Sequence, residues 1–421
     1  MEVLTNSAAT KTSYPKEKIK ILLLENIHET SKETFAKYGY DNVTILSHAL
    51  QEDELIEALK DAHMVGIRSK TKMTRRVIEA LKACDSPIRA IGCFCIGTNQ
   101  VDLEAAQENG VAVFNSPHSN TRSVAELVIA ECVMLMRRIP ERNFAAHEGT
   151  WLKDADQSNE LRGKTLGIIG YGNIGSQVSI LAEALGMKVL YYDIEPKLPL
   201  GNANNTDSME EILSTSDIVT LHVPADEGTK NLLNAEAIAK IKDDAILLNL
   251  SRGNVVDIDA LKKALESGKL RGAAVDVFPK EPKSTTEKFS SPLQGLHNVI
   301  LTPHIGGSTQ EAQENIGRDV AAKLSNYMDK GRTVGCITVP ELNLPQHSDK
   351  NTHRVLHIHN NVPGVLNAIN SALADFNILG QFLKTNEHIG YVVIDVEAKA
   401  SKEILRDLRK VNNTIEVRIL Y

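Results

Sequence analysis

Gly170-Tyr171-Gly172-Asn173-Ile174-Gly175 is a G-x-G-x-x-G run. It follows an apolar stretch, Leu166–Ile169, and opens an amphipathic one, Ile174–Leu185. A strand feeding a helix through three spaced glycines is built to hold a dinucleotide pyrophosphate. Gly170 permits the tight turn, Gly172 lets the backbone approach the phosphates, and Gly175 lets the helix pack on the strand. The helix start adds free N–H groups and the positive end of its dipole. Asp193 lies 18 residues beyond Gly175, at the end of the next apolar run. A carboxylate there accepts hydrogen bonds from ribose hydroxyls and repels a 2′-phosphate, so NAD is expected over NADP. Lys197, four residues on, is a cation that would soften this selectivity.

Alternating strands and helices must carry such a site. Short apolar runs at Lys18–Leu24, Val43–Leu46, Met64–Ile67 and Ile88–Cys93 predict strands. Glu29–Tyr38, Glu52–Ala62 and Thr74–Ala83 have helical spacing. That alternation predicts a parallel α/β sheet. A long helix is expected over Ser123–Arg137, with Asn120 or Thr121 near its cap. A second α/β block follows, with strands over 166–169, 188–192, 218–221, 245–249, 272–276 and 299–301, then a helix over 309–328. Leu342–Lys350 is polar, contains Pro345 and is expected to be a linker. Beyond it the pattern reads βαββαβ, the split ferredoxin-like order.

The whole chain has 421 residues, 42% of them hydrophobic, and a formal net charge of −7. Its length suits two to four domains with sizeable cores. With no basic block, nucleic acid and anionic membranes are not expected partners. The first 18 residues lack the apolar core of a signal peptide, and no run is long enough to cross a membrane. The five cysteines, an odd count, are expected to be free thiols in a reducing, cytoplasmic setting. Cys93 and Cys95 form a C-x-C without a second ligand pair, so no metal is expected.

Further motifs then stand in order: Asn249-Leu250-Ser251-Arg252-Gly253, Asp276-Val277-Phe278 with Glu281-Pro282, and Thr302-Pro303-His304-Ile305-Gly306-Gly307. Together with the glycine run they resemble the D-2-hydroxyacid dehydrogenase family. Arg252 to Glu281 spans 29 residues and Glu281 to His304 spans 23, spacings that also match. The resemblance implies catalysis by Arg252, Glu281 and His304, and the chemistry suits those types. Oxidising a 2-hydroxy acid removes a hydride from C2 and a proton from its hydroxyl. A neutral imidazole is a fitting base near neutral pH. A carboxylate beside it fixes its tautomer and stabilises the imidazolium. A guanidinium offers a planar fork to the substrate carboxylate. The resemblance further implies cofactor contacts at Asn173, Ile174, His222, Pro224, Leu250, Ser251, Arg252, Asp276, His304, Ile305, Gly306 and Gly307, beside Gly170, Gly172, Gly175 and Asp193.

The likeness is strongest to members of the family that carry a C-terminal ACT domain. It rests on Gly66–Thr71, Asn115–Pro117, Ser119–Glu126 and His357–Leu366. It implies two Rossmann-like, doubly wound parallel-sheet domains plus a ferredoxin-like βαββαβ ACT domain. The substrate domain would span 1–117, completed by 308–338. The NAD-binding domain would span 118–307, the linker 339–350 and the ACT domain 351–421. It also implies 3-phosphoglycerate as substrate, with Arg68, Ser69, Lys70 and Asn120 on the substrate side, and a possible side activity on 2-oxoglutarate. L-serine would be an effector held by His359, Asn361 and Asn377, and the assembly a homotetramer. Alternatives are a glyoxylate or hydroxypyruvate reductase of the same family, or a non-enzymatic NADH-sensing corepressor.

Overall fold

The computed structural model describes residues 15–282, 286–345 and 351–420. The N-terminal segment 1–14 and the stretch 346–350 of the expected linker lie outside the described residues. The chain divides into two compact units, one formed by Met1–Ser119 with Gln313–Tyr421 and the other by Asn120–Ala312.

In the first unit, strands β1 (Ile21–Leu23), β2 (Val43–Ile45), β3 (Met64–Ile67), β4 (Ala90–Cys93) and β5 (Ala112–Phe114) form a parallel sheet ordered β2-β1-β3-β4-β5. Strands β1 and β3–β5 are apolar at nearly every position and buried along their length, as a sheet covered on both faces requires. Leu22, Val65, Ile91 and Val113 face one core. Ile21, Leu23, Met64 and Phe114 face the other, beside Val320, Leu324 and Tyr327 of the helix Gln310–Lys330. Strand β5 and the preceding helix Leu103–Glu108 are absent from the sequence expectation.

The second unit holds β6 (Thr165–Ile169), β7 (Lys188–Tyr192), β8 (Asn204–Asn205), β9 (Ile218–Leu221), β10 (Ala245–Asn249), β11 (Leu270–Val275) and β12 (Val299–Leu301). All pair in parallel, in the order β12-β11-β10-β9-β6-β7-β8. From the other edge this is the 3-2-1-4-5-6 order of a dinucleotide-binding sheet, with one strand added and the winding reversed between β6 and β9. The long helix runs Thr121–Met136. It stops where Arg138 adopts φ +51°, and Pro140 helps start a new helix, Ile139–His147, that the sequence reading missed.

The tail belongs to the first unit. Its strands β13 (Thr352–Asn360), β14 (Ile378–Thr385), β15 (Ile389–Glu397) and β16 (Thr414–Leu420) pair antiparallel in the order β14-β15-β13-β16, with helices Val365–Ala372 and Ser401–Leu408 between them. This is the ferredoxin-like topology expected. One face of the sheet packs on its own helices through Val355, Ile369, Val392 and Ile404. The other face, with Leu356, Ile358, Tyr391 and Val393, joins the core around Tyr327. Buried Arg354 bonds Asp395 with two nitrogens, at 2.7 and 2.8 Å, and reaches the Lys330 carbonyl at 3.1 Å. The Tyr391 hydroxyl donates to the Gly331 carbonyl at 2.7 Å. Within the expected linker, Leu344 is buried in this core and the Leu342 N–H donates to the Thr333 hydroxyl at 2.7 Å. In the described part of that stretch the two leucines therefore pack inward, while Asn343 and Pro345 are exposed.

Candidate active site

The glycine loop leaves β6 at Gly170, whose φ is +93°. A Cβ at Gly170 would press on the His222 carbonyl, and one at Gly175 would overlap the Gly170 carbonyl. A Cβ at Gly172, the N-cap of the helix Asn173–Ala184, would meet nothing within 4 Å. The loop is thus closed where backbone meets backbone and open where a phosphate must approach. Asp193 follows β7 directly, with each carboxylate oxygen held by a backbone N–H, Oδ2 by Tyr171 at 2.7 Å and Oδ1 by Glu195 at 2.9 Å. The acidic group is therefore fixed beside the glycine loop. Lys197 turns to Glu195 at 2.6 Å, so its charge is engaged by another carboxylate. His222 shares a hydrogen bond with the Thr220 hydroxyl at 3.0 Å, and burial pushes its imidazole down to about 3, so it is neutral. These features fit a dinucleotide without a 2′-phosphate.

The ends of β10, β11 and β12 build the rest. Leu250 and Ser251 are buried. The turn after β10 is held by Asn249, whose Oδ1 accepts from the Ser251 N–H and hydroxyl and whose amide donates to the Arg252 carbonyl at 3.0 Å. Gly253 lies so tightly on the Phe278 carbonyl that a Cβ would overlap it. That contact sets Arg252 beside the loop bearing Glu281. Glu281 accepts the Phe278 N–H at 3.1 Å, and both its oxygens lie on His304 Nδ1, at 3.1 and 2.9 Å. In the neutral ring Nδ1 therefore carries the proton, which puts the lone pair on Nε2 of a half-exposed side chain.

His304 has φ +54°, which costs a non-glycine residue about 1–3 kcal/mol. Asp276, 1% exposed, offsets this. Its carboxylate accepts from the Thr302 hydroxyl at 2.6 Å and from the Ile305 and Gly306 N–H groups at 2.8 Å each, while its carbonyl accepts the His304 N–H. Bonds to a buried carboxylate contribute roughly 1.5–3 kcal/mol apiece, so the network outweighs the strain. Glu131, buried on the long helix, is pushed up to about 8 by its desolvation and by Asp276. Asp276 was expected only as a cofactor contact, and nothing in the local pattern signals its hold on the His304 turn or the presence of Glu131.

The structure brings Gly170–Gly175, Asp193, Leu250–Arg252, Asp276 and His304–Gly307 to the carboxyl ends of one parallel sheet, with Pro224 on the exposed loop after β9. Asn120 occupies the N-cap position of its helix, but its side chain makes no cap bond and packs on Gly307. Arg68, Ser69 and Lys70 follow β3 in the first unit. In the tail, His359 and Asn361 line a cavity of about 440 Å³ with Pro363, Gly364, Leu383 and Thr385. Asn377 is not among its lining residues; it is exposed and bonds Glu397. Among the described residues the cysteines are free, no group of side chains suits a metal, and no helix is long and apolar enough to cross a membrane.

Residues 129–306 match the family described as D-isomer specific 2-hydroxyacid dehydrogenase, NAD binding domain, and residues 355–416 match AHAS small subunit-like ACT domain. The chain is 54% identical over 413 residues to a protein of Haemophilus influenzae named D-3-phosphoglycerate dehydrogenase, covering 98% of this chain and 99% of the relative. The Escherichia coli protein of that name is 51% identical over 415 residues, covering 98% and 100%. Among solved structures, D-2-hydroxyisocaproate dehydrogenase superposes with TM-score 0.69 at 26% identity, over 76% of this chain and all of the other. The NAD-complexed D-isomer specific 2-hydroxyacid dehydrogenase from Lactobacillus delbrueckii ssp. bulgaricus gives TM-score 0.66 at 25% identity, over 76% and 99%. Near-full-length identity above one half and a dehydrogenase site fitted to NAD agree: the chain belongs to the D-3-phosphoglycerate dehydrogenase family of NAD-dependent D-2-hydroxyacid dehydrogenases.

Proposed function

We propose that this chain oxidises D-3-phosphoglycerate to 3-phosphohydroxypyruvate, the first step of L-serine biosynthesis. The observation that carries the reading is His304 held at Nδ1 by both oxygens of Glu281, with no partner for Nε2 among the described residues. In the proposed reaction the substrate hydroxyl gives its proton to Nε2 as the C2–H bond breaks; NAD held by the glycine loop and Asp193 would supply the hydride acceptor. Glu281 keeps the ring in the Nδ1–H tautomer and balances the imidazolium that forms. Arg252 holds the C1 carboxylate through its fork, and Asn120 sits on the substrate side. Arg68, Ser69 and Lys70 take the phosphate. In reverse, His304 returns the proton to the oxyanion. 2-Oxoglutarate, which also has two anionic ends, is a candidate for a slower side reaction. The test is NADH oxidation with 3-phosphohydroxypyruvate, set against ketoacids without the phosphate.

Asp193 supports the choice of cofactor. Wild type should prefer NAD to NADP in kcat/KM by about 10²-fold or more, since a 2′-phosphate would face a pinned carboxylate. Asp193→Ala should shrink that ratio chiefly by raising the KM for NAD. Equal use of NADP by wild type would contradict the assignment.

For the tail we propose L-serine as the effector. Asn361 donates to the Asn386 carbonyl at 2.7 Å and His359 lines the same cavity, so amide and imidazole are presented together. Such groups can hold the ammonium and carboxylate of a small amino acid. Asn377 would join from a second tail paired along the exposed edge strand β14, in a homotetramer. Calorimetry should find L-serine binding to wild type and weakening at least about tenfold in Asn361→Ala, the loss of a bond to a charged ligand group. No heat and no inhibition in wild type would remove serine from the account.

A further inference from the structure

The first unit contains a carboxylate that the proposed reaction does not use. Glu25 stands just past β1 and is 8% exposed. Its φ is +64° and that of Asn26 is +52°, so the chain turns sharply there. The turn is tied down by its own N–H groups, Glu25 to the His48 carbonyl at 3.2 Å and Asn26 to the Leu46 carbonyl at 3.0 Å. The Glu25 carboxylate reaches across to the loop that follows β3. Oε1 accepts the N–H groups of Arg68 at 3.1 Å and Thr71 at 2.8 Å, and Oε2 accepts that of Lys70 at 2.9 Å.

The place matters as much as the bonds. In the order β2-β1-β3-β4-β5 the winding reverses between β1 and β3. The crevice outside the carboxyl ends of such a pair is where open α/β sheets take ligands. The loop that Glu25 gathers carries three cations. Lys72 turns to the Ser69 carbonyl at 3.2 Å, while Arg68 and Lys70 make no ion pair among the described residues. A buried anion beneath an anion site would be counterproductive if its lone pairs were idle. Here they are spent on backbone donors. Burial pushes the Glu25 carboxyl up, but its hydrogen bonds to Thr71, Lys70 and Arg68 outweigh that and hold it below the usual carboxylate range.

We propose that Glu25 is a positioning residue for the phosphate subsite: its carboxylate folds the Arg68–Thr71 loop so that Arg68 and Lys70 are presented unpaired to the substrate's phosphate. This rests on the reading of Arg68 and Lys70 as phosphate partners. Glutamine cannot substitute. With its carbonyl at the Oε1 position it keeps two acceptor contacts, but its amide then faces the Lys70 N–H, donor against donor.

The experiment follows NADH oxidation by 3-phosphohydroxypyruvate and by hydroxypyruvate, which lacks the phosphate. It compares wild type, Glu25→Gln, Glu25→Asp and Arg68→Ala. In Glu25→Gln the KM for the phosphorylated substrate should rise about 10- to 100-fold, as expected for losing bonds to a charged acceptor, with no matching change for hydroxypyruvate and little in kcat. Glu25→Asp keeps the charge but withdraws it by one methylene. It should show the same split, so the test stands even if the amide variant does not fold. A raised KM in Arg68→Ala with an unchanged one in both Glu25 variants would overturn the role of Glu25 and leave the subsite intact. An Arg68→Ala variant indifferent to the phosphate would overturn the subsite itself, and Glu25's part with it. Equal loss on both substrates in the Glu25 variants would reduce Glu25 to a fold-holding residue and also overturn the proposal.

Discussion

His304→Ala should lose about 10²–10⁴-fold in kcat, the usual worth of a positioned acid–base group, while NADH still binds within a few fold of wild type. The separation of the two effects comes from the local structure. Asp276 holds the turn through the backbone N–H groups of Ile305 and Gly306 and through the Thr302 hydroxyl, and none of these depends on the imidazole. Alanine therefore removes the proton acceptor and leaves the turn. It also inherits the positive φ, so some loss of stability is expected, of the order of 1 kcal/mol. Turnover, read by NADH absorbance, should fall far more than NADH affinity, read by fluorescence titration. A variant with near-normal kcat would take His304 out of the reaction.

Arg252→Ala should lower kcat/KM by about 10²–10³-fold, because a charged, two-pronged contact to the substrate carboxylate would vanish without replacement. Arg252→Lys should recover little, since an ammonium cannot reproduce the fork. The fork is free to serve in this way because Arg252 is tied down by its main chain and by one nitrogen. Its carbonyl accepts from Asn249, and Nη1 donates to the Ser251 carbonyl at 2.7 Å. Steady-state kinetics with varied substrate at saturating NADH measures this. A change confined to the KM for NADH would move Arg252 to the cofactor.

The dinucleotide loop is legible from sequence because everything it needs is local. A strand, three glycines and a helix start lie within about a dozen residues, and Asp193 follows one strand later. Strands β3, β7, β9, β10 and β12 were expected at their observed limits, because buried parallel strands are short apolar runs with sharp ends. The meeting of Glu281 and His304 is different. They are 23 residues apart on separate loops, and only family likeness anticipates it. Asp276 and Glu25 show where sequence reasoning stops. Each works by side-chain bonds to the backbone of a distant loop, and such bonds leave no period or composition behind. His304 and Glu25 take positive φ without being glycine, so the usual marker of a sharp turn is missing at both.

In the described part of the expected linker, Leu344 is buried in the core beneath the tail sheet and Leu342 packs against it. Arg354 with Asp395 and Tyr391 with Gly331 then fasten that sheet to the end of the helix Gln310–Lys330. Within this unit the proposed effector tail is thus packed directly on the body that carries Arg68 and Lys70. An effector at the cavity can influence that body only by binding two of its states unequally.

The central claim is dehydrogenation of a phosphorylated 2-hydroxy acid with NAD. NADH absorbance at neutral pH, with 3-phosphohydroxypyruvate and with hydroxypyruvate as alternative substrates, addresses it most directly. The account predicts rapid NADH oxidation by the first, with kcat/KM about 10²-fold or more above the second, the advantage of one doubly charged group held by Arg68 and Lys70. No NADH oxidation by 3-phosphohydroxypyruvate, or equal efficiency with both ketoacids, would contradict it.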